Sequence, residues 1–114
     1  MKAPKVQVRS KVWLEAKGRP VLGPGRVELL QCIDEQGSIS RASRLMKITY
    51  RKAWGQIKAM ELQLGLPLVR KQTGGAGGGG AHLTPEAREL LVDYLQLAHG
   101  IGDEVDRRFR KIFL

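Results

Sequence analysis

The sequence predicts a mainly helical protein with a small antiparallel β component, arranged as a winged helix-turn-helix with an N-terminal strand or hairpin and a long C-terminal helix. Three observations predict this fold. Apolar residues recur at helical spacing in three segments before Gly65, a glycine-rich segment between two short apolar runs follows, and Thr84-Pro85 opens a last helical segment. A chain of 114 residues is long enough for one such domain and an extra helix.

Residues 1–23 are predicted to form an N-terminal β-strand or hairpin. From Val6 to Leu14 apolar and polar side chains alternate with a period of two, which is typical of a half-buried strand. Lys17-Gly18 predicts a turn, after which the chain returns as far as Leu22. A Gly-Pro-Gly break then separates this piece from the rest of the chain.

Residues 24–84 are predicted to form the winged helix-turn-helix, with helices at 24–36, 39–46 and 50–64. Gly37 ends the first helix, and Ser38 and Thr49 are N-cap residues for the second and third. The predicted core positions are Val27, Leu29, Leu30 and Ile33 in the first helix, Ile39, Ala42, Leu45 and Met46 in the second, and Ala53, Ile57, Met60 and Leu64 in the third.

A wing is predicted over residues 66–83. Leu66–Gln72 reads as its first strand, Thr73–Gly80 as a glycine-rich tip and Ala81–Leu83 as its second strand. A nucleotide-phosphate loop is the rival interpretation of the glycines. It is disfavoured because neither Lys-Ser nor Lys-Thr follows them and no helix opens directly after them.

Residues 85–114 are predicted to form one long helix that joins two subunits. Thr84 is its N-cap and Pro85 takes its first position. A heptad-like seam is interrupted only by Arg108 and consists otherwise of Ala87, Leu91, Tyr94, Ala98, Ile101, Val105 and Ile112. We therefore expect a homodimer formed through this helix.

The charge distribution points to double-stranded DNA as the partner. The net charge is +9, and residues 38–73 carry eight basic residues against the single acid Glu61. The predicted DNA-binding residues are Arg41, Arg44, Thr49, Tyr50, Arg51, Lys52, Trp54, Lys58, Arg70, Lys71 and His82. Within this set Arg51 is the candidate for bidentate bonding to guanine, and Gly55 lets the third helix approach the groove.

The remaining predicted contacts divide by their position in the fold. Phosphate contacts are expected from Arg41, Arg44, Lys52 and Lys58, and wing contacts beside the groove from Arg70, Lys71 and His82. Tyr50 and Trp54 either touch DNA or close the core beside Ala53. The pattern of the third helix leaves both roles open.

Enzymatic, metal-binding and membrane functions receive no support from the sequence. The two histidines, His82 and His99, have no acid-base or metal-ligand spacing around them, and one cysteine cannot build a zinc site. Cys32 lies in an apolar stretch and is expected to be a small buried hydrophobe. Without a membrane span, signal peptide, cofactor or metal motif, the expectation is a cytoplasmic protein that is not an enzyme.

Two family resemblances accompany these patterns. Gly37-Ser38-Ile39-Ser40-Arg41-Ala42 and Leu64-Gly65-Leu66-Pro67-Leu68-Val69 resemble the winged helix of LysR-type regulators. Gly25-Arg26-Val27, Tyr50-Arg51-Lys52-Ala53-Trp54 and the run from Thr73 to Thr84 resemble the N-terminal domain of the ModE family of molybdate-responsive transcriptional regulators. This second resemblance covers the chain from residue 20 onward.

The ModE resemblance implies a dimeric, DNA-binding winged helix-turn-helix, with Tyr50, Arg51 and Trp54 inside the recognition-helix motif. Members that sense molybdate carry a further oxyanion-binding region after this domain, whereas this sequence stops at Leu114. The expectation is a stand-alone transcriptional regulator without that region. Its rivals are an adaptor that uses the winged fold to bind a protein, and a molybdate sensor that acts through a partner.

Overall fold

Within residues 5–72 and 80–114, which a computed structural model of the chain describes, five helices and two small antiparallel sheets form. In chain order these are β1 (Leu14–Ala16), β2 (Arg19–Leu22), α1 (Pro24–Gln36), α2 (Ile39–Leu45), α3 (Tyr50–Leu64), β3 (Val69–Gln72), β4 (Gly80–Leu83), α4 (Pro85–Ala98) and α5 (Ile101–Phe113). Helices α2 and α3 form the helix-turn-helix, and β3 and β4 form the wing. The predicted fold class is confirmed.

The N-terminal hairpin is shorter than the sequence pattern predicted. Strands β1 and β2 are joined by Lys17 and Gly18, whose φ values of 53° and 77° are typical of a tight two-residue hairpin turn. The prediction of a strand from Val6 is wrong, because β1 begins at Leu14. The preceding residues run along α4, where the Val12 carbonyl accepts a 2.8 Å hydrogen bond from the Tyr94 hydroxyl. Val6 is 48% exposed, so the alternation does not mark a half-buried strand, and Val12 is the residue of this segment that packs against the first core cluster.

The core consists of two clusters that meet on α1 and α3. The first joins the hairpin, the wing and α4, and comprises Val21, Leu22, Val27, Leu30, Met60, Leu68, Leu83, Ala87, Leu91 and Tyr94. The second lies inside the helix-turn-helix and comprises Leu29, Ile33, Ile39, Ala42, Ala53, Ile57 and Ala81. Each fully buried Leu or Ile side chain contributes roughly 1.5–3 kcal/mol. The two clusters together fix α3 between the hairpin and the wing.

Helix α2 buries a different residue from the one predicted. Ile39 and Ala42 are buried as expected, but Leu45 is 61% exposed. Its place is taken by Ser43, which is 2% exposed and whose hydroxyl donates to the Ser40 carbonyl over 2.8 Å. On a helix of 3.6 residues per turn, Ser43 follows Ile39 by one turn, whereas Leu45 falls on the flank.

The predicted single C-terminal helix is wrong, since it breaks between α4 and α5. Gly100 has a φ of 76°, a left-handed conformation that glycine adopts without a steric penalty, and His99 before it leaves the helical conformation with a ψ of 125°. The seam is divided accordingly. Ala87, Leu91 and Tyr94 are buried in the chain's own core and are not available to a second subunit.

Helix α5 projects away from the rest of the molecule. The radius of gyration is 17.5 Å, whereas a compact chain of this length has about 13 Å. None of the described α5 side chains is buried. One side of α5 is charged. There a hydrogen bond from Arg107, and a smaller contribution from the bond of Arg108, lower the pKa of Glu104 to about 2. The other side is apolar and includes Phe109 and Phe113, whose rings stack at 5.0 Å.

Candidate nucleic-acid interface

The outward face of α3 is basic and exposed. Arg51, Lys52 and Lys58 are all exposed. Arg51 and Lys58 lie on the side away from the buried residues Ala53 and Ile57, and Lys52 lies on the flank toward the hairpin. This follows from helical periodicity, which places Arg51 and Lys58 on the side away from the core. An exposed basic helix with a diameter of about 10–12 Å matches the width of the B-DNA major groove.

The turn before α3 directs the start of the helix toward solvent. Lys47 adopts a left-handed φ of 57°, and the Ile48 amide donates to the Ser43 carbonyl over 3.0 Å. Thr49 then caps α3, its hydroxyl accepting a 3.0 Å bond from the Lys52 amide. Thr49, one of the predicted contacts, thus has a structural role through its side-chain oxygen.

The first turn of α3 carries the candidate base-reading residue. Thr49 caps this turn. Arg51 follows Tyr50, which is 42% exposed. Gly55 lies one turn further along the same face as Arg51, and a Cβ built at Gly55 meets no heavy atom of the described chain within 4 Å. The helix surface is therefore smooth beside Arg51, so backbone can come close to a ligand there.

Helix α2 places Arg41 and Arg44 on its exposed side. Ser38 caps this helix by accepting a 3.1 Å bond from the Arg41 amide. The two arginines are three residues apart, so they lie on the same side of α2 and border a shallow depression of about 240 Å³ with Gln36 and Leu45. The structure therefore places these two predicted phosphate contacts together, beside α3 rather than on it.

Strands β3 and β4 sort the predicted wing residues by face. Arg70 pairs with His82 in register, and Lys71 pairs with Ala81. Ala81 is 5% exposed, so the Lys71 side of the hairpin is the inner one. Successive side chains point to opposite sides of a strand, which puts Arg70 and His82 on the outer side. The predicted tip over residues 73–80 lies outside the described residues except for Gly80.

Glu61 attaches the base of the wing to α3. Its carboxylate accepts hydrogen bonds from the backbone amides of Leu68 and Val69, at 2.7 and 3.3 Å, and a 3.2 Å bond from the Lys58 ammonium. Burial by itself would raise the pKa of Glu61, but these amide bonds and Lys58 outweigh it and hold the pKa below its ordinary value. The one acid among the basic residues of this region is therefore a structural anchor.

The second wing strand is attached to the end of α1. The Ala81 amide donates to the Gly37 carbonyl over 2.9 Å. A Cβ at Gly80 would lie 3.3 Å from the same carbonyl oxygen, so a glycine allows β4 to approach this closely. Both strands of the wing are thus attached to the helices, β3 through Glu61 and β4 through Gly37.

An aromatic and lysine cluster lies where the wing meets α3. The Lys71 ammonium donates a 2.6 Å hydrogen bond to the Tyr50 hydroxyl and lies 4.1 Å from the centroid of the Trp54 ring. Lys58 lies 4.3 Å from the same centroid. Trp54 is half-buried against the second core cluster. Its ring therefore packs on the core and also contacts the ammonium groups of Lys58 and Lys71.

A basic cleft on the hairpin side of α3 joins the predicted phosphate contact Lys52 to Lys11 and Trp13, which the sequence analysis did not predict as DNA contacts. It has a volume of about 660 Å³ and is bordered by Lys11, Trp13, Arg26 and Lys52, with no acid among its described lining residues. Arg26 is held by bonds to the Val21 carbonyl and to Gln63. The excess of basic residues before α1 was the only available signal, because no periodicity connects Lys11 to Lys52.

Within residues 5–72 and 80–114 the structure shows neither a metal site nor a reactive thiol. No group of three His, Cys, Asp or Glu residues there could hold a metal ion. Burial first, then the charges of Glu35 and Glu28, raise the pKa of the Cys32 thiol, which disfavours the reactive thiolate. As for membranes, none of the described helices is long and apolar enough to span one.

Comparison with known sequences gives relatives that are named transcriptional regulators or molybdenum-pterin-binding proteins. The chain is 41% identical over 85 residues to the transcriptional regulator ModE of Yersinia pestis, which covers 75% of this chain and 32% of that protein. It is 40% identical over 81 residues to the molybdenum-pterin-binding protein MopB of Rhodobacter capsulatus, covering 71% of this chain and 30% of that protein. The chain thus spans just under a third of the length of these relatives.

Solved structures share the fold. The crystal structure of a CbnR_DBD–DNA complex aligns with a TM-score of 0.59 at 20% identity, covering 76% of this chain and 94% of that one. A BenM_DBD/benA site 1 DNA complex aligns with a TM-score of 0.58 at 20% identity, covering 75% and 94%. Residues 25–88, more than half of the chain, match the model of the bacterial regulatory helix-turn-helix proteins of the lysR family. The chain therefore belongs to this lysR family of helix-turn-helix proteins.

Proposed function

We propose that the chain is the DNA-binding part of a bacterial transcriptional regulator and acts on duplex DNA in the cytoplasm. The observation that carries this proposal is the exposed basic face of α3, flanked by a wing that is anchored to it through Glu61. Two further observations support it. Similar proteins are named transcriptional regulators, and two structures of the same fold are complexes with DNA.

In this proposal α3 enters the major groove and Arg51 reads a base pair. Its position in the first turn of α3, next to the smooth surface left by Gly55, suits an approach to base edges. Phosphates flanking the groove are bound by Arg41, Arg44, Lys52 and Lys58. On the outer side of the wing, Arg70 and His82 contact the neighbouring minor groove, whose negative potential favours basic side chains.

We further propose that two copies associate through α5. Its apolar side carries Ile101, Val105, Phe109 and Ile112, spaced by four, four and three residues, and Ile112 is 63% exposed. Such spacing forms one continuous stripe on a helix, and a second copy would remove it from water. A two-fold dimer presents two α3 helices and so reads two half-sites of one operator.

Regulation of molybdenum homeostasis is the biological role we propose for this regulator. The names of several relatives refer to molybdenum, including the molybdenum transport protein ModE of Azotobacter vinelandii. A molybdate effect on this chain alone is not part of the proposal. The genes of molybdenum uptake are therefore where an operator should be sought.

The test is fluorescence anisotropy with a labelled pool of random duplexes, at two salt concentrations, with and without molybdate. We expect strong binding that weakens steeply with salt, with a log-log slope of about 0.9 per neutralised phosphate, and no response to molybdate. Arg110→Ala on α5 is the control variant. It removes one positive charge outside the proposed interface, so it should bind the duplexes as the unaltered chain does. Absence of binding even at low salt would refute the proposal and favour a protein adaptor instead.

A further inference from the structure

Lys71 lies on the inner side of the wing, although it is exposed. Its register partner Ala81 is buried, whereas the next pair, Arg70 and His82, lies on the outer side. Because strand side chains alternate, Lys71 cannot extend in the same direction as Arg70. The two adjacent basic residues of β3 therefore face different surroundings.

The surroundings of Lys71 are aromatic rather than acidic. Its ammonium lies 2.6 Å from the Tyr50 hydroxyl oxygen, 4.1 Å from the Trp54 ring centroid and 5.3 Å from the Tyr50 ring centroid. In the part of the chain that the structure describes, no carboxylate lies within salt-bridge distance of it. A cation within about 6 Å of a ring centroid is attracted by the quadrupole of the ring.

We propose that Lys71 is a positioning residue that fixes the wing against α3, and not a direct ligand of DNA phosphate. The proposal rests on the DNA-binding function proposed above. Its cation–π contact and hydrogen bond set the angle between β3 and α3, and through Tyr50 they also fix the side chain next to Arg51. The Tyr50 hydroxyl and both rings already hold the Lys71 ammonium, so a phosphate would have to compete with them for it.

The geometry makes Lys71 the second of two attachments between β3 and α3. The first is Glu61, which binds the amides at the base of the wing. From Leu68 to Lys71 the strand advances about 10 Å at 3.3 Å per residue. From Glu61 back to Trp54 the helix covers about 10.5 Å at 1.5 Å per residue. The matching lengths mean that β3 runs antiparallel along α3, and Lys71 adds a second attachment about 10 Å from the first, which helps to fix the direction of the strand along α3.

The first test needs no DNA. In a Trp13→Phe background, Trp54 is the remaining tryptophan, so acrylamide quenching of its fluorescence reports how well its ring is covered. We expect Lys71→Met to raise the quenching constant, Lys71→Arg to preserve it because guanidinium also stacks on indole, and Arg70→Met to leave it unchanged. An unchanged constant in Lys71→Met would overturn the proposed contact.

The second test compares the salt dependence of DNA binding for the same variants. We expect Lys71→Met to weaken binding about threefold to tenfold at every salt concentration with an unaltered slope, because it removes the alignment of the wing and not a phosphate contact. Lys52→Met serves as the reference for a true phosphate ligand and should reduce the slope by about 0.9. A similar reduction in Lys71→Met would show that Lys71 binds phosphate.

The two tests separate failure of this inference from failure of the proposed function. If the unaltered chain binds no DNA, the proposed function fails, while the quenching measurement still decides whether Lys71 covers Trp54. If DNA binds but Lys71→Met changes the slope, the positioning role alone is lost. Circular dichroism of each variant checks that the fold is retained.

Discussion

The carboxylate of Glu61 lies 2.7 Å from the backbone nitrogen of Leu68 and so joins the third helix to the base of the wing. The Glu61 side chain is only 14% exposed, so an unpartnered amide at Leu68 would be costly. We expect Glu61→Gln to lower the free energy of unfolding by roughly 1–2 kcal/mol, because the amide oxygen is a weaker acceptor than a carboxylate. Urea denaturation measures this change, and Glu89→Gln on the exposed side of α4 is the matched control.

The same anchor predicts a pH dependence of stability. The pKa of Glu61 in the folded chain lies below its ordinary value of 4.5. Its contribution is therefore complete above about pH 4.5 and is lost as the pH falls through the folded-state pKa. The difference in unfolding free energy between the unaltered chain and Glu61→Gln should shrink as the pH falls from neutral to about 3. A difference that stays constant over this range would contradict the linkage.

Arg51→Ala is expected to relax sequence preference at one position of the operator. A bidentate arginine–guanine contact discriminates by about 1–3 kcal/mol, so affinity for the selected site should fall about fivefold to 150-fold while binding to random duplexes changes little. Selection of duplexes from a random library with each protein measures both quantities. Lys52→Ala is the comparison, because loss of a phosphate contact weakens binding to all sequences alike.

The apolar side of α5 predicts the oligomeric state. We expect the double variant Phe109→Gln and Ile112→Gln to be monomeric in sedimentation equilibrium, since it removes the centre and the end of the exposed stripe. Asp103→Asn, on the side of α5 opposite the stripe, should leave association unchanged. A dimer that survives the double change would locate the interface elsewhere, for example on Val92 and Leu95 of α4, which are 57% and 46% exposed.

The sequence patterns located the helices well because their ends carry local signals. Ser38, Thr49 and Thr84 each accept the hydrogen bond expected of an N-cap, and Gly37 and Gly65 adopt the left-handed conformation expected at a helix end. These signals depend on neighbouring residues, so they are readable without the fold. The buried faces of α1 and α3 follow from periodicity in the same way.

The errors arose where a local pattern had more than one cause. The alternation before Leu14 predicted a strand paired with another strand. In the structure this segment is instead bonded to helix α4, through the Tyr94 hydroxyl. The heptad-like seam mixed core residues of α4 with exposed residues of α5, since spacing cannot tell an intramolecular neighbour from a second subunit. Glu61 and Lys71 meet their partners only through the fold, so no spacing in the chain could reveal their contacts.

Gly55→Ala provides a test in which stability and DNA affinity should change in opposite directions. Alanine is favoured over glycine in a helix interior by about 0.8–1.0 kcal/mol, and a Cβ at Gly55 meets open space, so thermal unfolding should move to higher temperature. The same methyl group projects from the outward face of α3 and should weaken binding to the selected duplex. Gly102→Ala in α5 is the matched control. Among the described residues its Cβ would meet the Ser10 hydroxyl alone, at 3.6 Å, so the change should raise stability without affecting DNA binding. If Gly55→Ala bound DNA as tightly as the unaltered chain, the backbone of α3 would not approach the groove at this turn, and the interface would have to be centred away from Arg51.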